Sequence, residues 1–214
     1  MAARKQSFPL LEPNLADRFG LIRLRPPSPI LTDWLSATGN IIPEDMRLLD
    51  KVLIKIIDNA DSWNEEELKM QFISIIILLA DIDPRIRTYY DREINETIDG
   101  EFLSCKSDMM LSKGIGELIK TPYFFMHEYK REKKYSGDPI GQMLGGMLIA
   151  QAKNAHNMPI YGCYIQGRHW YFSVLIGKEY VISNDFNSST MPEVQQIIFI
   201  LRKLNTIILE QLMV

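Results

Sequence analysis

Hydrophobic residues recur at helical spacing in the first part of the chain and in shorter, strand-like runs from residue 86 onward. A short helix is predicted in ILTDWLSATG, and a longer amphipathic one follows Pro43 through EDMRLLDKVLIKIIDNA. A third helix is predicted from Asn64, a good capping residue, through LKMQFISIIILLADI. Because apolar residues cover nearly its whole circumference, we expect this third helix to be buried.

The middle of the chain has the pattern of an antiparallel meander. Residues 86–98, 101–112 and 122–132 predict three strands, with Asp99 and Gly100 forming a hairpin turn between the first two. The second connection is rich in glycine and contains Pro122. Antiparallel pairing would therefore place the second strand beside the third.

The last third of the chain alternates between helical and strand-like patterns. Asp138 and Pro139 predict the start of a helix, and the pair Gly145-Gly146 indicates close packing on a neighbouring backbone, for which we expect the sheet. Three strands are then predicted in PIYGCYIQGRHWYFSVLIGKEYVIS, the first adding parallel to the meander after the crossover helix. An amphipathic helix, PEVQQIIFILRKLNTIILEQL, closes the chain and covers the sheet or offers a dimer surface. The predicted fold class is α/β, with a mixed sheet, added N-terminal helices and a C-terminal helix.

Three charged residues stand on two neighbouring strands of the predicted meander. Asp108 precedes the apolar run Met109 to Leu111, and PYFFMHEYKRE carries Glu128 and Lys130. Side chains alternate along a strand, so Glu128 and Lys130 point the same way. In matching register Asp108 would join them in a patch a few ångströms wide.

Two carboxylates at such a short distance repel each other unless a cation lies between them. Hard oxygen ligands of this kind suit Mg²⁺ or Mn²⁺, and a lysine beside such an ion can hold the attacking water and offset charge on a phosphate. The alternative is that Glu128 and Lys130 form the solvated face of an edge strand and Asp108 is a turn residue.

An aspartate about 20 residues before Glu-x-Lys resembles the motif of the PD-(D/E)XK nuclease superfamily, with Asp108, Glu128 and Lys130 as matching residues. Ser107 stands where a proline often precedes the aspartate. The phrases NEEELKMQFI, FFMHEYKRE, DPIGQML and PIYGCY resemble an uncharacterised bacterial branch related to restriction and repair nucleases. The resemblance implies a restriction-endonuclease-like core of helix, three-strand antiparallel meander, helix and strand in residues 64–214, with residues 1–63 as an N-terminal extension of cover helices.

The resemblance also implies roles for side chains around the motif. Asp108 and Glu128 would hold the ion, and Lys130 would position the attacking water. Glu67 would assist the ion through water, with Glu66 as second choice; the three adjacent acids Glu65, Glu66 and Glu67 leave this assignment open. Gln142 would orient water or backbone, the alternative being a plain polar edge of a packed helix. The candidate phosphate contacts are Lys113, Lys133, Lys134, Lys153 and Arg168.

The function implied by the resemblance is metal-dependent hydrolysis of phosphodiester bonds in nucleic acid, with DNA as the first candidate. One alternative is a non-catalytic module of the same fold that binds nucleic acid or protein. A second is a carboxylate-pair hydrolase without metal, which a lysine among the acids disfavours.

Composition narrows these possibilities. The formal net charge is −3, so phosphate contacts must come from a local basic patch. The two cysteines are expected to be small, buried hydrophobic residues. The three histidines are scattered and lack the spacing of zinc ligands. No apolar run approaches the roughly 20 residues that cross a bilayer, and the N-terminus lacks a signal-peptide pattern. We therefore expect a cytoplasmic protein without a membrane partner. A homodimer is left open by the surface that the C-terminal helix offers.

Overall fold

The computed structural model describes residues 6–131, 137–154 and 158–212. One π-helical turn spans Lys69–Ile73. The helices are α1 (Glu12–Phe19), α2 (Pro29–Leu35), α3 (Pro43–Asn59), α4 (Glu65–Leu68), α5 (Ser74–Ala80), α6 (Pro139–Asn154) and α7 (Met191–Leu212). The strands are β1 (Ile22–Leu24), β2 (Arg87–Ile98), β3 (Glu101–Ile115), β4 (Leu118–Lys130), β5 (Ile160–Gln166), β6 (His169–Ile176), β7 (Glu179–Ile182) and β8 (Phe186–Asn187).

All strands belong to one mixed sheet with the order β1-β7-β6-β5-β4-β3-β2, and β8 pairs with β6. Strands β2, β3 and β4 form an antiparallel meander, while β5 adds parallel to β4 after the crossover helix α6. The predicted α/β class and the mixed sheet are confirmed. The expected glycine-rich connection is shorter than predicted, because β3 continues to Ile115 and β4 begins at Leu118.

Helices cover the sheet on both faces. We call one side the α7 face, where α2, α3, α5 and α7 pack on residues such as Met109, Tyr129 and Trp170. The other is the α6 face, where α6 and α1 pack on residues such as Leu103 and Tyr164. Across the described ranges, each helix is too short or too polar to span a bilayer.

The third predicted helix has an unpredicted interruption. Its start is as expected, since the Asn64 side chain accepts a hydrogen bond from the Glu67 amide, and the Glu67 carboxylate accepts one from the Asn64 amide. This reciprocal capping box satisfies two amides that would otherwise lack partners. The helix then widens into the π-turn at Lys69 before continuing as α5.

Helix α6 packs closely on the N-terminal segment through two of its glycines. A Cβ atom at Gly145 would lie 2.7 Å from a Leu10 methyl carbon, and one at Gly141 would overlap the Leu10 carbonyl oxygen. The expectation that the glycine pair packs on the sheet is therefore wrong for Gly145, where the segment before α1 fills the space, whereas the Gly146 backbone lies beside Cys105 of β3. Asp138 explains the position of this segment: its carboxylate accepts from the Glu12 amide at 2.7 Å and from the Gly141 amide at 3.0 Å.

Candidate active site

The candidate site lies where β3 and β4 part. Their antiparallel ladder ends at the pair Met109 and His127. Beyond this pair, on the side of Asp108 and Lys130, β3 pairs with β2 and β4 pairs with β5. Asp108 spans the gap, since its Oδ2 accepts a hydrogen bond from the Tyr129 amide at 2.8 Å. Ser107 shapes the same bend by donating its hydroxyl to the Met109 carbonyl at 2.7 Å. The Asp108 carboxylate is therefore fixed against β4.

Glu128 and Lys130 lie on the α6 face of β4, as strand alternation predicts. The Lys130 Nζ lies 2.5 Å from Glu128 Oε1, and both residues are buried, with 7% and 3% of their surfaces exposed. His127 and Tyr129 point to the opposite face, where their ring centroids are 4.5 Å apart. The open alternative of a solvated strand face does not match this burial.

The surroundings of Glu128 disfavour its ionised form. Burial, and then the charge of Asp108, raise the pKa of Glu128 from 4.5 to about 7, although the ion pair with Lys130 opposes this shift. Burial and the same two carboxylates raise the pKa of the Cys105 thiol to about 12. A carboxyl whose pKa is displaced to the working pH range by burial and a neighbouring charge is typical of functional sites.

The start of α4 brings three glutamates towards this site in different ways. Glu65 is half-buried, and its charge contributes to the raised pKa of Glu128. Glu66 is exposed and lies 3.3 Å from the Lys69 ammonium. Glu67, the first choice from the sequence, is exposed and engaged in the capping box with Asn64. The action of its charge on Glu128, and the engagement of Glu67 with Asn64, therefore favour Glu65 over Glu67 as the assisting acid.

Sequence analysis did not single out Lys69. Its Nζ lies 2.7 Å from Asp108 Oδ1, and 5.6 Å from the centre of the Tyr129 ring. Burial alone would lower the pKa of Lys69, but the hydrogen bonds and charges of Asp108 and Glu66 outweigh it and raise that pKa. The available signal was the only charged residue in the stretch LKMQF, and the π-turn begins at that lysine.

Gln142 reaches the same region from the first turn of α6. Its backbone carbonyl accepts from the Cys105 thiol at 3.4 Å, and that thiol is within range of the Glu128 charge. The Gln142 Oε1 is shielded from solvent and has no hydrogen-bond partner among the described residues. It can therefore accept a hydrogen bond from water or a ligand.

The candidate phosphate contacts are spread over both ends of the sheet. Arg168 lies at the end of the sheet that carries the candidate site. The amide of its neighbour Gly167, in the turn between β5 and β6, donates a hydrogen bond to the Lys130 carbonyl at 2.8 Å. The Arg168 guanidinium also donates to Asp61 at 2.6 Å. Lys113 lies five residues beyond Asp108 on β3, roughly 16 Å away at about 3.3 Å per residue.

Lys153 is also distant from the candidate site. It ends α6, roughly 16 Å from Gln142 at about 1.5 Å per residue, and pairs with Glu96 at 3.2 Å. Lys133 and Lys134 lie outside the described residues. Among the predicted contacts that lie in the described residues, Arg168 is therefore near the candidate site, whereas Lys113 and Lys153 are not.

The oxygen atoms at the site are of the kind that a hard divalent cation prefers. Among residues 6–131, 137–154 and 158–212, no three His, Cys, Asp or Glu side chains are grouped to hold a metal ion. The carboxylates of Asp108 and Glu128 are the oxygen ligands that this site could offer to a cation. Mg²⁺ is commonly held by one or two carboxylates, with water and substrate phosphate oxygens completing the shell.

The sequence matches no protein-family model and no curated protein. Its function is therefore inferred from the fold and from the geometry of this site.

Proposed function

We propose that the protein is a metal-dependent nuclease of the PD-(D/E)XK type, with a restriction-endonuclease-like core, that hydrolyses phosphodiester bonds in nucleic acid. DNA is the first candidate substrate. One observation carries the proposal: a buried Glu128–Lys130 ion pair lies beside Asp108 where two antiparallel strands part.

Stability alone does not explain this buried pair. Removing two charges from water costs several kcal/mol per ion, and apolar replacements of buried pairs are often neutral or stabilising by about 1–4 kcal/mol. Glu128 and Lys130 occupy strand positions that apolar residues could fill, as Tyr129 does on the opposite face. A chemical role is the simplest reason to keep them.

The order of elements supports the same proposal. The π-interrupted helix precedes the meander β2–β3–β4, and α6 then leads to β5, which is parallel to β4. This order of helix, meander, helix and strand is the one that the sequence resemblance implies for the nuclease core. The matching residues stand on its second and third strands.

Asp108 and Glu128 would hold Mg²⁺ or Mn²⁺, which when bound supplies positive charge at the phosphate and a more acidic water. Asp108 is held in place by the Tyr129 amide. The Lys130 ammonium, buried beside Glu128, orients the attacking water or a phosphate oxygen and offsets charge that develops there. Gln142 accepts a hydrogen bond from water through Oε1, and Glu65 adds negative charge from the helix end.

The proposal is tested by incubating the protein with single- and double-stranded DNA and RNA, with Mg²⁺, Mn²⁺ or EDTA. We expect cleavage only with metal, and a loss of about 100-fold or more in Lys130→Ala, because the ammonium acts on developing charge. Lys120→Ala is the matched control, since Lys120 is an exposed lysine on the same strand, and we expect it to cleave normally. Asp108→Asn should lose both cleavage and metal binding.

Two outcomes would replace the proposal by its alternatives. Robust cleavage in EDTA would point to a carboxylate-pair hydrolase that needs no metal. Tight binding of nucleic acid without cleavage of any substrate would favour a non-catalytic module of the same fold.

A further inference from the structure

A cavity of about 440 Å³ adjoins Asp108 on the α7 face. It lies between the π-interrupted helix and strands β2 and β3. Asp108 and Lys69, which form an ion pair at the candidate site, also line the cavity. Its volume falls in the range of about 300–1,000 Å³ that is usual for small-molecule sites. A ligand in the cavity would therefore contact the proposed site through Asp108, whereas Glu128 and Lys130 lie on the α6 face and do not line the cavity.

The walls of the cavity are apolar and aromatic. Tyr90 and Met70 line it and are 53% and 70% exposed, so each presents an open surface to a ligand. Tyr129 also lines it and is 2% exposed; its hydroxyl has no hydrogen-bond partner among the described residues. That hydroxyl lies within electrostatic range of Tyr90 and Asp108, which also line the cavity. Surfaces of this kind favour a flat ligand that can also make a polar contact.

The polar groups of the cavity include three carboxylates. Glu66, Asp91 and Asp108 line it together with the Lys69 ammonium and the hydroxyls of Ser74, Tyr90 and Tyr129. Each carboxylate pairs with a lysine, Lys69 or Lys106, and keeps lone pairs that can accept a further hydrogen bond. Ionised carboxylates accept hydrogen bonds and repel carbonyl oxygens. The cavity therefore suits a ligand that carries an amino group next to an acceptor nitrogen.

We infer that this cavity binds an unpaired nucleobase with an exocyclic amino group, adenine or cytosine, next to the phosphate that is cleaved. The inference rests on the proposed nuclease function. Adenine and cytosine present an amino donor at the edge where guanine and thymine present a carbonyl acceptor, so guanine is disfavoured although it has an amino group elsewhere on its ring. The flat base would stack on Tyr90, as bases do on aromatic side chains in proteins that bind single strands. A base paired in a duplex cannot enter, so the substrate is single-stranded or locally opened.

The π-turn supports a functional role for the cavity. Lys69, Met70 and Ile73 belong to this turn, and all three line the cavity. Single π-turns within α-helices are found frequently at functional sites. The widened turn thus shapes both the cavity wall and the cation beside Asp108.

The test measures the affinity of short single-stranded oligo(dA), oligo(dC) and oligo(dT) by fluorescence anisotropy, with EDTA present to prevent cleavage. We expect oligo(dA) and oligo(dC) to bind about tenfold more tightly than oligo(dT), because every base can stack but only the first two present an amino donor to the carboxylates. Ser74→Trp fills the cavity from an exposed lining position, and Tyr90→Ala removes the stacking surface. Both variants should bind all three oligonucleotides as weakly as wild type binds oligo(dT).

Leu78→Ala is the matched control, because Leu78 is 70% exposed on the same helix and does not line the cavity. It should keep the wild-type preference. Equal affinities of wild type for the three oligonucleotides, or a preference that survives in Ser74→Trp, would overturn the inference. Metal-dependent cleavage without base preference would overturn the cavity assignment alone, whereas neither binding nor cleavage of any nucleic acid would overturn the proposed function as well.

Discussion

Ionisation of Glu128 should make the protein less stable as the pH rises through neutrality. Burial and the charge of Asp108 raise the pKa of this carboxyl from 4.5 to about 7 in the folded protein. The folded state therefore binds the Glu128 proton more tightly than the unfolded state does. The resulting stabilisation is fully present below about pH 4.5 and is lost as the pH rises through about 7.

The size of this effect follows from the difference between the two pKa values. Each pH unit between them corresponds to about 1.4 kcal/mol, so complete ionisation of Glu128 removes on the order of 3 kcal/mol. This is a large share of the roughly 5–15 kcal/mol that stabilises a typical domain. A divalent cation should restore the loss above pH 7, because it binds the ionised carboxylate of the folded state.

The assay is urea denaturation at a series of pH values between about 5 and 8, for wild type and Glu128→Gln, with and without Mg²⁺. His127 contributes an opposite trend in both proteins: burial lowers its pKa from 6.5 to about 3, so its contribution is present above about pH 6.5 and is lost as the pH falls towards 3. The difference between wild type and variant removes that shared trend.

The difference in unfolding free energy between the two proteins should change by about 3 kcal/mol across this range, to the disadvantage of wild type at high pH. Added Mg²⁺ should reduce the change in wild type and have little effect on the variant. Parallel pH profiles for the two proteins would refute the reasoning, because they would mean that Glu128 has the same pKa in the folded and unfolded states.

Two further predictions concern residues that hold the site and its supporting helix. Lys69→Met should strengthen Mg²⁺ binding in calorimetric titration, because it removes the ammonium that competes for Asp108. The control is Lys106→Met, which breaks an exposed ion pair with Asp91 and should leave the Mg²⁺ affinity unchanged. Gly141→Ala should lower the urea midpoint by the equivalent of about 1–3 kcal/mol despite the better helix propensity of alanine, because its Cβ would overlap the Leu10 carbonyl; an unchanged or higher midpoint would contradict the packing described for α6.

The parts of the fold that follow local patterns could be predicted from the sequence. Alternation along β4 places Glu128 and Lys130 on one face and Tyr129 on the other. The Asp99-Gly100 turn defines the hairpin of β2 and β3, and the crossover helix explains why β5 is parallel to β4. Each of these features depends on residues that are near one another in the chain.

The features that were not predicted depend on contacts between distant segments or on competing hydrogen bonds. Glu67 is engaged in the capping box, which satisfies the amide of Asn64, and Glu65 is the acid of this turn whose charge acts on Glu128. The direction of Lys69 depends on a π-turn for which the apolar pattern of the helix gives no sign. Arg168 was named from the sequence as a phosphate contact, but its place beside Lys130 depends on the parallel pairing of β5 with β4, two strands that are distant in the chain.

The balance of charge at the site indicates why a divalent cation fits the proposed chemistry. The Lys69 ammonium is paired with Asp108 and the Lys130 ammonium with Glu128, so these four groups carry no net charge when both acids are ionised. Half-buried Glu65 adds one negative charge, and a phosphodiester brought to the site adds another, whereas exposed Glu66 is screened by solvent. Two negative charges then remain in a partly desolvated place, where like charges repel strongly. One Mg²⁺ or Mn²⁺ neutralises them, and it would leave the lysines free to act on the phosphate.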